Sequence, residues 1–384
     1  MKKNLITLCI MLCIAVPTFA GIKLDVKIFT GYNITQLTIT PLIGKYSIYD
    51  NDKLIAEVLK TEVLQLSIQN DSVMVLKNGM PVGRFGTLGL NGTGLINSFR
   101  ITPLAPLVKE REYDDDLEIS VVNGVLQIIN SVDLEHYVAG VVQSEGGGSA
   151  RENEFYVVQA ICCRTYALNN AKKHSADGYH LCDSVHCQLY LGRCRNPDIQ
   201  AATFQTLGDV IVDKDNKMIS AAFHANSGGE TANSEDVWTI STSYLKTVRD
   251  TFSMSMPNAT WEKSMLVDEW LDYLSSHFKY PVNEHSKRVA ALNFTQEHRK
   301  VYFADSIKLT TIRNDLGLKS TFFSIKQSGD KVIFSGKGYG HGVGMSQQGA
   351  IRMVQLGYGY REIIKYYYKG VEIMSYEQVL IRNF

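Results

Sequence analysis

A glutamate at the end of an apolar stripe, a run of thiols and imidazoles, and histidines set among glycines are the residues of this chain best suited to chemistry. In Asp133-Leu-Glu-His-Tyr-Val-Ala-Gly-Val-Val-Gln-Ser-Glu145, the residues Leu134, Tyr137, Val138, Val141 and Val142 repeat at the spacing of an amphipathic helix, with Asp133 placed as its N-cap. Glu145 falls on that same stripe, so its carboxylate points where the helix buries its apolar face. Desolvation disfavours the charged form, raises the pKa and suits the group to hold a proton near neutral pH. Glu145 is therefore a candidate general acid. The competing reading is a solvated helix end running into Gly146-Gly147-Gly148.

His174, His180, Cys182, His186 and Cys187 crowd one short stretch. Zinc takes thiolate and imidazole ligands in tetrahedral geometry, and this is the right donor set for it. The spacing matches none of the common finger patterns, and a Cys182–Cys187 disulfide in an oxidising compartment fits the same residues. Cys162 and Cys163 read as small core residues of a helix. His224-Ala-Asn-Ser227-Gly228-Gly229 brings a histidine and a hydroxyl into a glycine turn, but the nucleophile-elbow pattern of a serine hydrolase is absent there. His341 lies in Gly338-Tyr-Gly-His-Gly-Val-Gly-Met-Ser-Gln347, where glycine at nearly every second position allows close backbone approach or positive φ. That run is neither a dinucleotide fingerprint nor a phosphate loop.

Several elements must position these groups. Asn123-Gly124 between two apolar runs predicts a β-hairpin that delivers the chain to the Asp133 helix. A second helix is predicted from about Asn153 to Lys173, apolar on most sides and therefore central. It carries Arg164, which needs a partner because an unpaired buried charge is costly. Glu145 is one candidate partner, and a structural arginine and a substrate-contacting one are both open. Val210–Val212 and Met218–Phe223 read as a hairpin, and Val332–Ser335 as a strand ahead of the glycine run, which passes into a helix ended by Gly357. The stretch 255–308 reads as peripheral helix. Upstream, residues 21–108 show short alternating strands and no catalytic cluster, and the charged run Lys109–Asp116 reads as an exposed boundary. The expected organisation is a signal segment at 1–20, a small mostly β domain at 21–110 and an α+β domain with buried helices and β-hairpins at 111–384.

Composition narrows the function. Lysine plus arginine and aspartate plus glutamate balance at 39 each, and no basic run asks for nucleic acid. Lys2-Lys3, the apolar Leu5–Val16 and Thr18-Phe19-Ala20 read as a secretory signal cleaved after Ala20, too short to span a membrane comfortably. The expected product is exported and not an integral membrane protein. Cys9 and Cys13 leave with the signal; the odd number that remains suits a disulfide scaffold poorly and leaves room for a metal.

Seven stretches taken together resemble the SpoIID/LytB family of bacterial cell-wall proteins. They are Tyr137–Glu145, Ala160-Ile-Cys-Cys-Arg-Thr-Tyr-Ala-Leu168, Cys182-Asp-Ser-Val-His-Cys-Gln-Leu-Tyr190, Phe223–Gly229, Val237-Trp238 with Tyr244-Leu245, Leu316–Phe322 and Gly338–Gln347. The resemblance implies a lytic transglycosylase acting on peptidoglycan glycan strands, preferring strands stripped of stem peptides. It places the catalytic carboxylate at Glu145, and a groove lined by Arg164, His224, Ser227, His341 and Gln347 follows as the expectation. It also sets His174, Cys182 and Cys187 where some members bind zinc. A second reading within the family is a non-catalytic amidase enhancer that holds glycan and a cell-wall amidase. One departure is that Gly146 stands where the family usually has methionine.

Overall fold

The computed structural model describes residues 21–146, 152–304 and 306–382; the expected signal segment and the glycines after Gly146 lie outside the described residues. Alternation of apolar and polar residues produces strands buried on one face, as in Lys23–Lys27, where Leu24 and Val26 point inward. One antiparallel sheet of six strands runs in the order Arg111–Asp114, Ser98–Ala105, Gln36–Ile43, Leu64–Gln69, Ser72–Lys77, Met80–Phe85. The other has seven, in the order Leu181–Cys182, Lys23–Lys27, Val125–Asp133, Asp116–Val122, Thr87–Gly92, Tyr46–Asp50, Lys53–Val58. Inward residues of both, among them Leu66, Val75, Phe99, Ile48, Leu88 and Ile119, fill a common core.

This arrangement crosses the expected boundary near residue 110. Thr87–Gly92 pairs with Asp116–Val122, and Lys23–Lys27 pairs along Val125–Asp133. The charged run there is not a solvated loop: Arg111–Asp114 is a strand, with Tyr113 fully buried. Its charges are matched, Arg111 to Asp183 at 2.8 Å and Glu112 to Arg100 at 2.8 Å. The same core continues into the helices that follow, so β and helical layers share one interior.

Asn123 and Gly124, both at positive φ, turn the hairpin into Val125–Asp133. That strand feeds α1 (Leu134–Glu145), whose N-cap Asp133 accepts the Glu135 N–H at 2.8 Å. Next comes α2 (Asn153–Asn169), which ends about a turn earlier than the sequence suggests and is buried on most sides. It packs against α1, α3 (Pro197–Gln205), the strand Asp209–Val212 and the helix Tyr360–Tyr367. The expected hairpin at 210–223 is reduced to a tight turn bridging Val212 and Met218, because Asp209–Val212 takes Glu372–Ser375 as its ladder partner.

The stretch read as peripheral helix is part of a second core. Helices Val267–Phe278 and His285–Leu292 pack on a four-stranded sheet made of Thr260–Leu266, Lys331–Lys337, Phe323–Ser328 and Asn293–Phe294. Trp270 is its fully buried centre, edge-on to Phe334 at 5.3 Å. The strand Thr260–Leu266 was hidden because its side chains are mostly exposed or half-exposed, with no apolar alternation to read. No helix among the described residues is long and apolar enough to cross a membrane.

Candidate functional site

Glu145 is the last residue of α1, and the segment after the Cys/His stretch wraps around it. Three consecutive side chains each take backbone donors from that segment. Leu189 N–H donates to Glu145 Oε1 at 2.8 Å, Leu191 N–H to Ser144 Oγ at 3.0 Å, and Arg195 N–H to Gln143 Oε1 at 2.8 Å. Close approach is possible because position 140 is glycine: a Cβ there would lie 2.5 Å from Gly192 O and from the Tyr190 ring. Desolvation raises the Glu145 pKa above the ordinary 4.5, and the single backbone hydrogen bond from Leu189 opposes it. No charged neighbour among the described residues contributes to that shift. The result is a carboxyl held in place by one N–H and biased toward its protonated form.

Across from the end of α1 lies Gln347, the first residue of the helix Gln347–Gln355, which Ser346 caps by accepting the Gly349 N–H. Its Nε2 is buried without a hydrogen-bond partner among the described residues and sits 3.6 Å from where a Gly146 Cβ would be. Gln347 is thus placed beside Gly146, the residue that follows Glu145. A buried amide whose donor has no partner among the described residues, next to the end of the helix that carries a protonatable carboxyl, is an arrangement that can grip a polar ligand.

The other expected groove residues sit elsewhere. Arg164 is fully buried: Nε donates to Glu135 Oε1 at 2.8 Å, and its remaining donors reach Asp209 O and Thr203 O, both at 3.1 Å. It lines no groove and does not pair with Glu145, because Glu135 on the first turn of α1 satisfies it. Ser227 is also fully enclosed, donating to Asp250 Oδ2 at 2.7 Å, so it contacts no solvent-borne ligand. His224 is buried, its Nδ1 3.1 Å from Val343 O, and burial drives its pKa well below 6.5. His341 accepts the Val343 N–H at Nδ1 (3.0 Å), which leaves Nε2 to donate to Phe223 O at 2.9 Å. Desolvation pushes its pKa down to about 4, so it is a neutral strut with both nitrogens used. The glycine run serves the same joint: Gly344 and Gly340 hold positive φ and press against Ala222 O and the His224 side chain, distances that no Cβ would permit. Its close approach is to the chain's own backbone, where Phe223–His224 pairs with Met345–Ser346.

The thiol and imidazole stretch does converge. Donor atoms of His174, Cys182, His186 and Cys187 all lie within 4.8 Å of one another. Cys187 Sγ is 3.5 Å from His174 Nε2, and Cys182 Sγ is 3.8 Å from His186 Nδ1. Those separations suit the edges of a tetrahedron around an ion with bonds of about 2.0–2.3 Å. Both cysteines are free thiols, and the Cys187 thiol beside Cys182 lowers the pKa of the latter to about 3. His186 completes a set of which the sequence reading named three; its adjacency to Cys187 was the available signal. His180 is turned away, accepting the Asp25 N–H at 2.8 Å. Glu135 and the clasp on Gln143 and Ser144 were missed, because nothing in residue type marks a partner so distant in sequence.

Residues 122–212 match the SpoIID family model, described as stage II sporulation protein. Over 91% of its length the chain is 28% identical to an uncharacterised protein of Brachyspira hyodysenteriae, covering 95% of that relative. It is 28% identical to stage II sporulation protein D of Bacillus subtilis, over 69% of the chain and 81% of that protein. An amidase enhancer of Bacillus subtilis is 27% identical over 57% of the chain, and the match spans 37% of that longer protein. The matched stretch contains α1 with Glu145, α2 and the Cys/His cluster, and together with these relatives it supports membership of the SpoIID family.

Proposed function

We propose that this protein is an exported lytic transglycosylase, cleaving N-acetylmuramic acid–N-acetylglucosamine linkages of peptidoglycan strands stripped of stem peptides. The observation that carries this reading is Glu145: a desolvated carboxyl with raised pKa, fixed by Leu189 N–H, at the helix end whose next residue, Gly146, adjoins the Gln347 amide. Protonated Glu145 gives its proton to the glycosidic oxygen as the bond to C1 breaks. The resulting carboxylate then takes the proton of the C6 hydroxyl, whose oxygen attacks C1 and closes a 1,6-anhydro ring. Because the nucleophile is part of the substrate, a second carboxylate to activate water is not required, unlike the paired arrangement of ordinary glycosidases. The pKa of Glu145, perturbed by burial and by no neighbouring carboxylate among the described residues, agrees with a one-carboxylate mechanism.

His174, Cys182, His186 and Cys187 would hold zinc. Bound there, the ion supplies structural cross-linking: it ties down the stretch that ends two residues before Leu189, and so supports the N–H that positions Glu145. The test is digestion of peptide-free glycan strands by the wild type and by Glu145→Gln. Products ending in 1,6-anhydromuramic acid in the wild type, with a drop of at least about 100-fold in the variant, are expected from loss of the acid. Absence of such products, or equal amounts from both proteins, would sink the enzyme reading.

A second reading has its own support in the relative named amidase enhancer: a protein that holds glycan and stimulates a cell-wall amidase without cutting. Glycan retained intact, together with stimulation of an added amidase, would favour it.

A further inference from the structure

Arg111–Asp114 is an edge strand of the six-stranded sheet, and the segment that wraps around Glu145 covers its free side. Arg193 N–H donates to Glu112 O at 2.7 Å, and the Arg193 side chain pairs with Asp114 at 3.1 Å. Gly192 takes positive φ and presses on the same carbonyl, where a Cβ would lie 2.3 Å from Glu112 O. At the other end of the segment, Arg111 donates to Asp183 Oδ2 at 2.8 Å. The Asp183 carboxylate is 3% exposed and also accepts two backbone N–H groups from the N-terminal β region, Phe29 at 2.6 Å and Thr30 at 3.0 Å.

Phe29 marks this anchor as a built feature. It holds a φ of 58°, a left-handed conformation that costs an aromatic residue free energy and persists only where its surroundings fix it. The fixing contacts are the Asp183 carboxylate on its N–H and the Arg111 guanidinium, 4.6 Å from its ring centre. From Asp183 the path to Glu145 is short. Its carbonyl accepts the Tyr190 N–H at 3.1 Å, and Tyr190 stands between Leu189 and Leu191, whose N–H groups hold Glu145 and Ser144. Tyr190 is fully buried; its hydroxyl donates to Asn130 Oδ1 at 3.0 Å, and its ring packs 5.7 Å from that of Tyr113. Arg111, Phe29 and Thr30 lie outside the stretch that matches the family model.

We propose that Asp183 and Arg111 are positioning residues for Glu145: their ion pair locks the loop that leads to Tyr190, and so sets the Leu189 N–H where it holds the carboxyl. The N-terminal β layer is thereby part of the machinery rather than a neighbour of it. The catalytic consequence rests on the glycan reading above; the structural one does not. An asparagine at position 183 has one acceptor oxygen for donors that now reach two, so one of them meets an NH2 group and the loop loosens. Glu145 then loses the hydrogen bond that favours its ionised form, and its pKa rises further.

Two readouts test this on the full chain supplied with zinc. Carbon-13 NMR follows the titration of the Glu145 carboxyl, assigned as the signal that Glu145→Gln removes. Steady-state cleavage of peptide-free strands gives kcat and KM. Asp183→Asn is expected to raise the Glu145 pKa above that of the wild type and to lower kcat per folded protein by about 10- to 100-fold with KM within about twofold, the pattern of a misplaced acid. Arg111→Gln should move both readouts in the same direction, and Arg111→Lys, which keeps the charge but not the planar fork, should recover part of the loss. These two variants give the answer if Asp183→Asn fails to fold. A lower Tm with the Glu145 titration and kcat unchanged in folded variants is what a merely structural ion pair gives; it overturns the proposal and leaves the glycan reading standing. A shifted titration in the variants, with no anhydro ends from the wild type, upholds the positioning and overturns the glycan reading instead.

Discussion

A carboxyl whose pKa is raised by burial is a site where function opposes stability. The folded state binds the Glu145 proton more tightly than the unfolded chain does, so above its raised value the ionised form weighs against folding, and this penalty fades as pH falls toward the ordinary 4.5 and is gone below it. Glu145→Gln keeps the acceptor for Leu189 N–H and removes the charge. Its Tm at neutral pH is therefore expected to rise by roughly 1–3 °C over the wild type, with the gap closing in acid; a fall at neutral pH would mean that the carboxylate is not strained. Arg164 is the opposite case, a buried cation fully matched. Glu135→Ala strands it, and chemical denaturation should show a loss of about 3–5 kcal/mol, whereas a change under 1 kcal/mol would mean that water reaches the guanidinium. Glu145 was legible because it sits on an apolar stripe. Glu135 was not, since an acidic residue on a first helical turn ordinarily faces solvent and favours the helix dipole from there. His341 drew attention by standing among glycines, but the glycines are there for backbone packing, and the ring's two nitrogens are consumed by that joint.

The elements show why the site has its form. Helix α1 and the Asn123-Gly124 hairpin could be read from spacing alone, because cap, stripe and turn chemistry are local. The segment 189–196 could not: it has little regular structure, and its order comes from handing backbone N–H groups to Gln143, Ser144 and Glu145. The His174, Cys182, His186 and Cys187 cluster lies just ahead of that segment, and the proposed zinc would fix its start. Treatment with a strong chelator is accordingly expected to lower Tm and glycan cleavage together, both recovering on addition of zinc. Substitution of His186 by alanine should give the same loss without chelator. Metal-free protein of unchanged Tm and activity would remove the ion from the account.

At the scale of the whole molecule, strands from before and after residue 110 interleave in one sheet over one core, while Trp270 centres a second, smaller core. Removing residues 21–110 takes Lys23–Lys27 and Thr87–Gly92 away from the strands that lead into α1. The shortened chain is expected to lose its cooperative unfolding transition by circular dichroism; a native-like transition would mean that the helical part folds alone. Alternation identified those strands, but their order could not be read, since pairing across many residues leaves no local trace. The same long-range assembly brings Gln347 to the end of α1, and with it the single-carboxylate chemistry proposed for a polymeric glycan. The most direct measurement is digestion of peptide-free strands in water enriched in heavy oxygen, followed by mass spectrometry of the new ends. The account predicts 1,6-anhydro ends that carry no label and that vanish in Glu145→Gln. Label at the new reducing end, or unlabelled anhydro ends formed equally well by Glu145→Gln, would contradict it.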